Sequence, residues 1–114
     1  MAMLTRDAIL KAEDIKREMV SVPEWGGDIY VGMMNGSARD MFDSQIVNKK
    51  TGSQNIRAKL AAATVQDENG NLMFTITDIE ALGKKSAAAL QRVYEVAVRL
   101  NRMGADDVEE LGKS

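Results

Sequence analysis

Neither histidine nor cysteine occurs among the 114 residues. Their absence removes the usual proton shuttle near neutral pH, the thiolate nucleophile and the common zinc ligands. Carboxylates and lysines remain, but no pair of acidic residues is spaced for acid–base work, so no catalytic, cofactor or metal site is expected. Without cysteine there is no disulfide scaffold and no sign of an oxidising compartment. No apolar run approaches the roughly 20 residues that a membrane-spanning helix needs. The opening MAMLTRDAIL also lacks the basic start and long apolar core of a secretion signal. A cytoplasmic protein without a membrane partner is the expectation. Proline is nearly absent too: Pro23 is the single one, so little interrupts helix formation.

What is present is an ordinary globular balance, 45% hydrophobic and 28% charged, in a chain long enough for one small core and too short for two. A single domain over residues 1–114 is expected, with residues 105–114 as an acidic tail. The net charge of −2 argues against a nucleic-acid partner. Lys49, Lys50, Arg57 and Lys59 make a basic middle, and residues 84–102 hold five basic side chains against Glu95. These are expected to be solvated helix faces, with the acidic tail complementing the basic helix. The alternative is complementarity between subunits packed head to tail.

Along the chain, Thr5 can cap a helix over residues 6–12, with Ala8, Ile9 and Ala12 at helical spacing. Alternation then sets in: Val20 and Val22 around Ser21, and Ile29, Val31 and Met33 around Tyr30 and Gly32. Two antiparallel strands, 15–22 and 28–34, joined by the Pro23-Glu24-Trp25-Gly26-Gly27 loop, are predicted. Ser37 with Asp40 predicts the next helix start, whose core face would be Ala38, Met41, Phe42 and Ile46. Residues 48–53 are a loop. Ser53 can cap a helix over 54–66, with Ile56, Leu60, Ala61 and Ala63 inward, although Ala62-Ala63-Thr64-Val65 also fits a strand end.

Residues 67–101 are the most structured stretch of the sequence. Asp67-Glu68-Asn69-Gly70 is a turn closed by glycine. Thr77 with Glu80 fits a capping box, Gly83 a left-handed helix stop, and Ser86 the cap of a long helix. On that helix Gln91, Arg92, Glu95, Arg99 and Arg102 occupy one arc of roughly 100°. The rest is apolar or small apart from Ser86 and Asn101, so cover is needed on more than half the circumference. Val98, with its angular neighbours Ala87 and Tyr94, would extend the apolar face past one contact surface, which predicts self-association there. A short acidic helix over 106–111 is expected after a stop at Gly104. The fold class expected is α+β, mainly α: four or five helices with an N-terminal two-stranded hairpin, whose outer edges invite strand addition.

Three features have competing explanations. Asp67-x-Asn69-x-Asn71 resembles the start of a calcium loop, but Leu72 stands where the loop needs Gly and Asp78 where it needs Glu, so it is a turn. Trp25 is either a lid folded onto the core or an anchor for a partner. The eight methionines, Met33, Met34 and Met41 among them, are flexible core filler or an adaptable partner surface. Trp25, Tyr30, Met33, Met34, Ala87, Tyr94 and Val98 are the candidate protein-binding residues.

DENGNLMF followed by DIEALGKKSAAALQRVYEVAVRLN resembles the C-terminal half of tail assembly chaperones from long-tailed bacteriophages and prophages. VPEWGGDIYV around Trp25 is similar to the N-terminal segment of that family, so the likeness covers most of the chain. The resemblance implies binding of the tape measure protein and recruitment of major tail protein, in the cytoplasm of the bacterial host and without turnover. It implies absence from the mature virion. Other classes are a minor tail or connector protein retained in the particle, and a small regulator that binds a helical peptide. The resemblance also implies a second, longer product read through a frameshift, and Gly112-Lys113 is where a slip would leave the shared domain whole. The coding DNA is expected to carry a slippery heptamer over Gly112 and Lys113 with an open overlapping frame beyond it. Sequencing that finds neither removes the expectation.

Overall fold

The structure, a computed structural model, describes residues 3–46 and 54–103, and the side chains of all of these except Gln45 and Ile46. The Ser53 cap, Gly104, the acidic helix at 106–111, Gly112 and Lys113, and the core role of Ile46 lie outside these residues. The fold is α+β and mainly helical, as expected.

Helix α1 (Arg6–Lys11) starts where Thr5 accepts the Ala8 N–H. The hairpin follows as β1 (Arg17–Val22) and β2 (Gly27–Gly32), paired antiparallel from Arg17↔Gly32 to Val22↔Gly27. Its loop is a single 3₁₀ turn, Pro23–Trp25, closed by Gly26 at φ 79°, a conformation that suits glycine. One face carries Val20, Val22 and Val31, all buried, while Met19 and Tyr30 stand on the other.

The sheet has a third strand that the two-stranded expectation lacked. Helix α3 (Ile56–Thr64) stops as the chain turns extended into β3 (Val65–Gln66), which pairs with Tyr30 and Val31 of β2. Both alternatives for this segment are therefore realised in succession. The buried Thr64 hydroxyl donates to the Leu60 carbonyl (2.7 Å) at the helix end, and β-branched Val65 continues as strand. Leu60 and Ala61 are buried as predicted, and Ile56 and Ala63 are half-buried. Lys59, placed by sequence on a solvated face, is buried instead.

Three local expectations are corrected. Helix α2 (Gly36–Met41) is capped by Asn35, whose Oδ1 accepts the Ala38 N–H (2.8 Å); Ser37 already lies inside it. The chain then widens into a π turn, Phe42–Ile46. Phe42 is buried, while Met41, one α-helical step of about 100° before it, is exposed rather than in the core. Before α4 (Ile79–Gly83), winding begins two residues earlier than predicted. Asp78 accepts the Thr75 N–H (2.9 Å), and the Thr77–Glu80 box does not form. Gly83 ends α4 without a left-handed residue. Its need is space: a Cβ there would lie 2.8 Å from Asn55 Oδ1. Gly70, by contrast, takes φ 85° as expected, and Asp67 Oδ1 receives the Asn69 and Asn71 N–H groups, which spends the calcium-like carboxylate on the turn.

Helix α5 (Ala87–Leu100), capped by Ser86, buries Ala89, Leu90, Val93 and Ala97. It packs on α3 and also on β1, β2 and the hairpin turn. Arg102 lies outside the helix at φ 52°, and buried Met103 closes the end by donating its N–H to the Val98 carbonyl (2.9 Å). Asn101 joins this end to the sheet: its Oδ1 accepts the Met34 N–H (2.7 Å), and its Nδ2 donates to the carbonyls of Ala97 (2.9 Å) and Gly32 (3.3 Å). Asn101→Ala leaves the Met34 donor unsatisfied in a half-buried place. It is expected to cost about 2 kcal/mol, measured as a shifted urea midpoint with unchanged slope.

Candidate protein-binding site

The seven residues singled out from sequence do not converge. Trp25 packs against the core from the hairpin turn, which is the lid role. Its indole N–H is buried, with no acceptor among the described residues. Met34 is also packed on the core, and Met33 is half-buried, its sulfur accepting the Lys16 N–H (3.3 Å). Tyr94 and Val98 are half-buried against the same cluster, and the Arg57 guanidinium sits 5.3 Å from the Tyr94 ring centroid. Much of the cover predicted to come from another molecule thus comes from α3 and the hairpin; of the trio, Ala87 alone is exposed. Tyr30 is the one that lines an open recess.

That recess, of about 490 Å³, lies on the outer face of the sheet and is lined by Met19, Tyr30, Gln66, Met73 and the Asp67–Glu68 turn. Alternation along β1 and β2 places Met19 directly opposite Tyr30. The Arg17 guanidinium lies 3.9 Å from the Tyr30 ring centroid and donates to the carbonyls of Asp67 (3.3 Å) and Glu68 (3.1 Å). Gln66 reaches across β2 so closely that a Cβ at Gly32 would collide with its amide. The Arg17 guanidinium therefore covers one face of Tyr30, while Met19 and Met73 stay exposed and deformable.

The strand beside this recess is the sheet edge. β2 pairs with β1 along its whole length and on its other side, at Tyr30 and Val31, with β3, so among the described residues β1 is the edge left open from end to end. The Met33 N–H donates to the Lys16 carbonyl (2.9 Å) and sets the phase of the ladder. Backbone groups of Arg17, Met19 and Ser21 then point outward, and no described residue hydrogen-bonds them.

A second apolar site is a hollow of about 90 Å³ walled by Met41, Ala62, Ala63, Leu72, Phe74 and Ile76. Sequence reasoning placed Met41 in the core and attached no role to Leu72, Met73 or Ile76. Their apolar character was visible, but what covers them was not.

The charge pattern is also resolved. Arg92 forms a forked pair with Glu24 (3.0 and 3.1 Å), and Arg99 pairs with Glu18, so α5 is latched to the hairpin. These arginines were expected to answer the acidic tail. Glu24 is held below the ordinary carboxylate range by a hydrogen bond to its own backbone and then by Arg92. That contribution is present above the unfolded pKa and fades as pH falls through the folded value. Burial pushes the Lys59 ammonium below the ordinary lysine range. Among the described residues no acidic group gathers as a metal site and no helix is long and apolar enough to cross a membrane. Comparison with protein families, curated proteins and solved structures finds no match to this chain.

Amide exchange tests the edge. The N–H groups of Arg17, Met19 and Ser21 are expected to exchange at least about 100-fold faster than those of Val20 and Val31. Equal protection of the two sets would mean that the edge is covered.

Proposed function

We propose that this chain is a tail assembly chaperone of the long-tailed bacteriophage type, acting in the bacterial cytoplasm. It binds the tape measure protein, keeps it soluble and helps recruit major tail protein, one binding event per copy and without catalysis. The family likeness of residues 67–101 and of the segment around Trp25 supports this. The observation that carries it is the apolar surface left open on a well-packed body: among the described residues ten large apolar side chains are exposed. Soluble monomers keep such patches small unless a partner uses them.

The outer sheet face suits an apolar segment of the tape measure protein. Its floor is Tyr30, its walls include the adaptable Met19 and Met73, and a free strand edge runs beside it. Deformable walls let one surface take successive, unlike stretches of a long chain. Two copies or more along one tape measure would gain from multivalency.

Co-expression with the product of the long, helix-rich reading frame that this reading expects next to the gene tests it. A soluble complex is expected, and Met19→Asp should weaken it at least about tenfold without lowering the melting temperature. Failure of the wild-type protein to bind or solubilise that product would overturn the proposal. Recovery of this chain from purified particles would support a retained minor tail or connector protein instead.

A further inference from the structure

The recess on the outer face of the sheet is apolar at its centre and acidic at its rim. Strand pairing sets the layout: Met19 stands opposite Tyr30, and at the next position on the same face Ser21 stands opposite Asp28. Glu68, on the turn after β3, lines the recess as well. Asp28 and Glu68 are exposed, and neither carboxylate is in an ion pair among the described residues. The Asp67 carboxylate between them in the chain is spent on its turn, where it accepts the Asn69 and Asn71 N–H groups. The cation that reaches over this face, Arg17, is committed to the Tyr30 ring and to the carbonyls of Asp67 and Glu68.

A segment of apolar residues alone would fit the floor but strip water from both carboxylates and supply nothing in return. An acidic segment would be repelled, and so would nucleic acid or an anionic membrane. A cation placed beside the apolar anchor satisfies both parts of the recess. The free edge of β1 fixes where it comes from. A strand added there turns alternate side chains onto the outer face, so residues two apart, roughly 7 Å, lie beside Met19 and Ser21 in turn. Ser21 is small and leaves open the path from the edge to Asp28, two strand spacings or roughly 10 Å. A lysine or arginine lays its stem over Ser21 and carries its charge to that carboxylate.

We propose that the outer face selects an extended segment in which an apolar residue has a lysine or arginine two positions away. The apolar side chain enters between Met19 and Tyr30, and the cation meets Asp28, with Glu68 adding to the attraction across the recess. The inference rests on the reading of this face as the one that takes a partner chain, and it names the chemistry of that segment. Rim charges of this kind contribute more to selection and encounter rate than to affinity. Preference between segments is therefore the signature.

Two synthetic peptides probe it: Thr-Lys-Thr-Leu-Thr-Lys-Thr, palindromic so that strand direction does not matter, and its twin with glutamate for lysine. Amide-shift titration of the full-length protein is expected to give a dissociation constant at least about tenfold lower for the cationic peptide. The shifts should centre on Met19, Ser21 and Asp28. Asp28→Asn should bring the twins within about threefold of each other, and Glu68→Gln should narrow the gap less. Both substitutions fall at exposed positions and should leave the melting temperature unchanged. Added salt should erase the preference in the wild type. Equal binding of the twins, binding of neither, or a preference that survives Asp28→Asn overturns the proposal. The chaperone reading stands or falls separately, on co-expression. A tape measure complex without peptide preference leaves that reading standing and sinks this one; peptide selection without any such complex does the reverse.

Discussion

The close approach of α5 to α3 is the contact on which the rest of the structure depends. Both helices bury alanines, Ala58, Ala61 and Ala62 on α3 and Ala89 and Ala97 on α5. Alanine loses no rotamer freedom on burial and lets two helix axes come near the short end of the usual 8–10 Å. Larger side chains, Phe42, Leu60, Leu90 and Val93, fill the remaining volume, and the valines of β1, β2 and β3 complete the core. The ion pairs from Glu18 and Glu24 lie toward solvent and orient the hairpin more than they stabilise it. The polar end of this arrangement is closed by Asn101, which meets three backbone groups with one amide.

The sequence conveyed the elements whose signals are local. Thr5, Ser86 and Gly70 act where their neighbours said they would, and alternation located both strands of the hairpin. It was ambiguous where one grammar fits two registers. Thr75-x-x-Asp78 and Thr77-x-x-Glu80 both match a capping box, and the earlier one forms. It misled where the reason for a residue lies elsewhere in the chain. Gly83 does end α4, but without the left-handed residue expected, and the atom nearest to a Cβ there belongs to Asn55, far away in the chain. The third strand is two residues long, below what a period of two can announce, and it exists because β2 presents a partner.

Binding surfaces were the least legible part. Ile9 and Leu10 follow the same periodicity as core residues, since a pattern records which face is apolar but not what it meets. Met41 shows the same limit from the other side: the next residue, Phe42, takes the core and leaves the methionine at a rim. Tyr94 and Val98 had the right angular position for a partner and were claimed by the chain's own helices and sheet. The resemblance to tail chaperones implies protein binding but does not choose a face.

The indole of Trp25 has an optical consequence. It is the only tryptophan, it sits in the turn that joins β1 to β2, and its N–H has no acceptor among the described residues. Fluorescence excited at the red edge of protein absorption therefore comes from a single, known place, an indole half-buried against the core. Since the turn is continuous with the free edge strand and touches α5, any event that bends the hairpin alters the field around that one chromophore. The protein thus carries its own emission-wavelength gauge of the hairpin, with no label to be added.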